Sequence, residues 1–250
     1  MTEQTDAPAP GISKPIMADP TPLAFGLFGF ALLIYGARFV NVDDQSLVGA
    51  SSDALNYAVL FAGVGHLIAG VLAFIRGMNY PAWIISVFGT WLVGFFFLSI
   101  HTDGAAAADP KIMTAGDGSA LPEAVVKQLA GANTTAWHTN SLAWYVLALI
   151  IPVLILEVPA ILIRNIPLIV TFAGLVVLLL MLGLAFHGVY SELTDVVNAA
   201  LKGHQQKPDL GGSVTMLKVS AWAGFVSGVS MLFIFATTMY KDLGIIGKKG

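Results

Sequence analysis

Two ionisable side chains stand well inside long apolar stretches of this chain, His66 and Glu157. A nonpolar membrane is a costly place for either, so each needs a reason to be there. His66 is preceded by Gly63 and followed by Gly70, with Ala62 and Ala69 on or beside the same helical face. Small residues on one face let a second helix approach closely, which points His66 into protein and not into lipid. Two chemistries fit: a neutral imidazole hydrogen-bonded between helices, or a polar group on a solute path that titrates near neutral pH. Glu157 precedes Arg164 by seven residues, on the same helix face if Pro159 does not rotate it. It reads as a structural ion pair, as a carboxylate reaching the interface, or as a proton-carrying carboxylate for symport.

Other chemistry is missing its parts. His101, His138, His187 and His204 fall on one predicted side, but their spacing matches no ligand motif, and we expect no metal. There is no cysteine, and no phosphate loop, H-E-x-x-H or G-x-S-x-G. The expectation is therefore no enzyme, no catalytic residues and no cofactor.

The elements that position these residues follow from composition. Of the 250 residues, 56% are hydrophobic and only 11% charged, with a net charge of −3. So few charges cannot solvate a globular surface, which excludes a soluble enzyme, a disordered chain and a coiled coil. The weak negative charge gives no footing for a nucleic-acid binder. What remains is a polytopic, all-α membrane protein. A bilayer core takes about 20 apolar helical residues, and six stretches qualify: 22–40, 54–75, 80–100, 141–163, 166–186 and 219–240. Residues 1–21 read as a disordered tail and 241–250 as a short second tail around the domain 22–240.

Spans two and three, and four and five, are joined by tight turns at Arg76-Gly77-Met78-Asn79 and Arg164-Asn165. The other side carries long links over 41–53, 101–140 and 187–218. Within these, 121–129 and 191–201 look like short amphipathic surface helices. Basic residues are denser on the short-turn side, which favours both termini in the cytoplasm. Arg38 and Lys218 lie at the opposite ends of spans one and six, as interfacial anchors or as an attraction for anions. Pro152 and Pro159 sit inside span four and free the carbonyls of Ala148 and Ile155, giving either a simple kink or a bent helix along a water path. Phe28, Phe30, Phe88, Trp91, Phe95, Phe96 and Phe97 are mostly packing and lipid-facing aromatics. Gly224 and Gly228 form a G-x-x-x-G helix contact in span six.

Three stretches together resemble one family, the acetate uptake transporters, which include the succinate–acetate/proton symporters. Asp19-Pro20-Thr21-Pro22-Leu23 is similar to that family's Asn-Pro-Ala-Pro-Leu signature entering helix one. Phe61 to Gly70, followed by Arg76-Gly77-Met78-Asn79, is similar to its Gly-rich second helix and basic turn. Ser220 to Gly228 resembles its Ala-Gly-Trp stretch in helix six. The resemblance implies a homohexamer in the plasma (inner) membrane, each six-helix protomer having its own path for acetate and related short carboxylates, often with a proton. It also implies an aromatic constriction. Phe28, or its neighbour Phe30, stands for the helix-one phenylalanine, Phe88 for the helix-three tyrosine, and Phe172 or Ala173 for the helix-five aliphatic residue.

Departures from the family are concentrated on that path. His66 replaces a glutamine, Ala73 a glutamate, Asp19 an asparagine, and Phe88 lacks the hydroxyl that would hydrogen-bond a carboxylate. The expectation is a transporter or channel for short monocarboxylates, with His66 supplying the missing polar contact. Backbone N–H groups at the start of helix one, near Pro22, would help at the mouth. Two alternatives stay open: a path for another small solute such as ammonia, and a non-transporting scaffold subunit of a larger complex.

Overall fold

The computed structural model describes residues 18–42, 45–100, 114, 119–204 and 206–246. Most of the N-terminal tail, the last four residues, His101 and much of the link 101–140 lie outside the described residues. Among the described residues seven helices follow one another: α1 (Thr21–Val40), α2 (Gln45–Ile75), α3 (Asn79–Ile100), α4 (Glu123–Ala148), α5 (Ile150–Leu162), α6 (Ile166–Leu201) and α7 (Gly211–Asp242). Among the described residues there is no strand, only an isolated bridge between Thr114 and Ala120. Helices α4 and α5 run on as one 40-residue stretch, so the described residues hold six helical spans long and apolar enough to cross a membrane.

Span four differs from its expected bounds. It begins at Glu123 and not near Ser141, and the surface helix expected over 121–129 is its first part. Likewise α6 carries the fifth span on through 191–201 to Leu201, and α7 starts eight residues before Val219. At 1.5 Å per residue the 40-residue rod is about 60 Å long, twice a hydrocarbon core. The physical reason is that the two overhangs support each other. Leu129 of α4 and Val197 of α6 make a small second core, flanked by Leu121, Val125, Ala200 and Leu201. Only Leu149 separates α4 from α5, three residues before Pro152, and its φ of −71° and ψ of −18° stay helical.

Small residues decide how closely the helices pack. A Cβ on Gly29 of α1 would meet the carbonyl oxygen of Gly228 on α7 at 3.0 Å, and one on Gly228 would meet that of Gly29 at 3.1 Å. The G-x-x-x-G of α7 therefore seats α1. Polar side chains tie the same neighbourhood. Ser227 Oγ donates to the Thr171 carbonyl at 3.1 Å, and Ser230 Oγ to that of Pro167 at 2.6 Å, joining α7 to α6. Tyr35 Oη donates to Ser220 Oγ at 2.6 Å, since that serine spends its own proton on the Leu217 carbonyl.

Helix α3 packs on α2 through glycine, whereas α4 touches it sparsely. Two tyrosines bridge that seam: Tyr145 Oη donates to the Trp91 carbonyl at 3.0 Å, and Tyr80 Oη to that of Leu156 at 2.7 Å. An open groove of about 590 Å³ follows the seam, lined by Ser86, Thr90, Tyr145, Ala148 and Pro152 among others. The Ala148 carbonyl region freed by Pro152 thus belongs to this groove and not to the bundle centre.

Candidate functional site

At the middle of the bundle four rings from four helices meet. Phe28 of α1 stands edge-on to His66 of α2, centroids 5.4 Å apart and planes at 73°. Phe28 also lies 5.0 Å from Phe88 of α3 at 34°, and Phe88 stacks at 6.3 Å and 20° on Phe172 of α6. All four are at most 1% exposed. Of the expected path residues, Phe28, His66, Phe88 and Phe172 are therefore brought together. Phe30 is not. It is 53% exposed and faces out of the bundle, because residues two apart on a helix never share a face.

His66 owes its place to α3. A Cβ on Gly89 would sit 2.8 Å from His66 Cβ and 2.9 Å from the Leu67 nitrogen, so glycine there lets the helices close over the imidazole. His66 Nδ1 lies 2.7 Å from the Ala62 carbonyl of its own helix. A carbonyl only accepts, so Nδ1 carries a proton, and in the neutral ring Nε2 is an acceptor. The hydrogen bond is intrahelical. The bridge between helices considered from the sequence is made instead by ring contact with Phe28.

On one side of the ring column, toward the C-terminal end of α1 and the N-terminal end of α2, lies a largely enclosed cavity of about 40 Å³. Phe28 and Phe88 form its floor, and its walls are almost wholly apolar, with leucines of α6 prominent among them. On the same measure one water takes about 10–15 Å³, so the space suits a solute of a few heavy atoms. Two wall residues carry polar atoms, Tyr35 and Trp91. Tyr35 Oη is committed to Ser220. Trp91 Nε1 is buried and has no hydrogen-bond partner among the described residues.

The remaining expected residues lie elsewhere. Glu157 is half-buried on α5 and lines neither the column nor the cavity. Arg164 does not share its helix face: α5 ends at Leu162, and Arg164 occupies the turn with a φ of +56°. The signature residues Asp19, Pro20 and Pro22 start α1, with both prolines buried, while Leu23 faces outward. Asp19 Oδ1 accepts the Thr21 N–H at 2.9 Å. The first amide of α1, expected to greet an anion, is thus already held by a carboxylate. Arg38 spreads its guanidinium over Phe39, 5.1 Å from the ring centroid, which suits the anchoring reading.

Trp91 and Tyr35 are the site residues that sequence reasoning missed. Trp91 follows Phe88 by three residues and so shares its face. That spacing is a signal, but it does not separate a cavity wall from ordinary packing.

The sequence profile of the GPR1/FUN34/yaaH family matches residues 4–201, well over half of the chain. Among solved structures, one described as the structure of the bacterial acetate channel SatP superposes with a TM-score of 0.59. It covers 91% of this chain and 96% of its own, at 15% identity. At that identity the likeness speaks for the fold. No curated protein matches the chain.

Proposed function

Since this chain belongs to the GPR1/FUN34/yaaH family, the acetate transporter family, as a divergent member, we propose that it is a membrane channel or transporter for acetate and similarly short monocarboxylates. The observation that carries this reading is the ring column of Phe28, Phe88 and Phe172, flanked by His66 and opening on a small apolar cavity. Acetate is small and half apolar: leucines and rings accommodate its methyl, and a few polar atoms meet its carboxyl. A dry aromatic column strongly disfavours a bare anion. It passes undissociated acid, or the anion with a proton, far more readily. His66 supports this, because the acceptor Nε2 of its neutral ring suits the O–H of an undissociated acid better than a carboxylate. The neighbour described as an acetate channel supports the same solute class.

Proton coupling, the homohexamer and a plasma-membrane location belong to this proposal on the strength of the family resemblance, and cytoplasmic termini on the density of basic residues on the short-turn side. Glu157 remains a candidate proton carrier as the carboxylate within span four, though it would act from outside the ring column. The experiment is to widen the column. Phe28→Ala or Phe172→Ala should admit longer carboxylates such as butyrate, raising their flux relative to acetate several-fold in reconstituted protein. Selectivity unchanged in both assembled variants would show that the column does not limit passage.

A further inference from the structure

We propose that the indole N–H of Trp91 is the carboxylate donor of the cavity beside the ring column, in the role that Phe88, lacking a hydroxyl, cannot fill. The inference deepens the transport reading and rests on it for the identity of the solute. It starts from an imbalance. Trp91 Nε1 is closed off from solvent with nothing to donate to, and an unmatched buried N–H is costly. Trp91 is also a wall of the largely enclosed cavity described above, together with Phe28 and Phe88, and it borders the open groove of the α3–α4 seam as well. An acceptor arriving in that cavity relieves the imbalance.

The indole is held ready for this. It stacks on Phe95 at 5.4 Å and 25° and on Tyr145 at 6.2 Å and 14°. Tyr145 in turn bonds the Trp91 carbonyl. A ring clamped through two stacks and one hydrogen bond loses little freedom on binding. The chemistry is selective as well. An indole N–H only donates and a carboxylate only accepts, so the pair is matched. Tyr35, the other polar wall residue, is already engaged. The cavity wall therefore includes one residue with an uncommitted donor among apolar neighbours, a pairing suited to one carboxyl and one methyl.

The test compares wild type with Trp91→Phe, which keeps a stacking ring and removes the N–H, using sodium acetate as the probe. In proteoliposomes the half-saturating acetate concentration should rise about tenfold, the size of one charge-assisted hydrogen bond. In nanodiscs, the ¹⁵N-indole resonance absent from the variant should move saturably with acetate. The variant without acetate should melt no lower than wild type, because it sheds an unmatched donor. Should Trp91→Phe fail to assemble, the resonance is assigned by elimination with phenylalanine at Trp83, Trp137, Trp144 and Trp222. An unchanged half-saturation in assembled variant, or a Trp91 resonance indifferent to acetate while wild type still takes it up, overturns the proposal. A wild type with no acetate uptake fails the transport reading instead, and the resonance alone then decides the role of Trp91.

Discussion

On the proposed path, the chemistry turns on His66. Its Nδ1–H is spent on Ala62, so one nitrogen remains for a solute, and its ring lies edge-on to Phe28. His66→Ala should lower acetate flux at least tenfold while oligomer assembly, read by size exclusion, is kept; unchanged flux would remove His66 from the path. Phe88→Tyr restores a hydroxyl at the column and should lower the half-saturating acetate concentration a few-fold. The sequence disclosed these residues unevenly. Phe28, His66, Phe88 and Phe172 were legible through motif register, and the small residues around His66 correctly turned it inward. Phe30 was offered beside Phe28 because register alone does not settle which of two phenylalanines faces the bundle; the helical turn does. Trp91 stayed among the packing aromatics, since whether an N–H has a partner is a property of the folded neighbourhood and not of residue type.

Glycine contacts and tyrosine bridges set the arrangement of the helices. Gly29 and Gly228 pack backbone to backbone, so Gly228→Leu forces α1 and α7 apart. It should destabilise the protein by about 1–3 kcal/mol, the usual cost of overpacking, read as an earlier loss of the folded peak on heating. At the seam between α3 and the α4–α5 rod, Tyr80 and Tyr145 each donate to a carbonyl across it. Removing one such bond within a membrane costs about 0.6 kcal/mol. Replacing both by Phe should be only mildly destabilising and should show first as faster amide exchange in α3; exchange unchanged along α3 would mean the seam holds without them. The six apolar stretches were readable because a hydrocarbon core demands length and composition. The helical overhangs of α4 and α6 were not. Their apolar positions pack against each other across 60 residues and more of intervening chain, and local periodicity shows each only as an isolated surface helix.

Taken whole, the molecule is a six-span bundle with one narrow aromatic waist and a small chamber beside it. On the proposed reading, its size and apolar walls set the solute class more than any single residue does. A second carboxylate would find no partner in that chamber, and desolvating it is expensive, so succinate should compete with acetate at least tenfold more weakly than propionate does. Equal competition would require a wider and wetter path than this one. The all-helical membrane class was evident from composition, while the chamber exists only once α1, α2, α3 and α6 converge. The central claim is that this protein gives short carboxylates a passage. Labelled acetate uptake into proteoliposomes tests it most directly, with and without an inward proton gradient and against empty liposomes, through which acetic acid leaks. The account predicts saturable uptake above the empty controls, blocked by unlabelled acetate and increased by the gradient beyond their own response. Uptake no greater than the controls, in protein shown to be assembled, would contradict it.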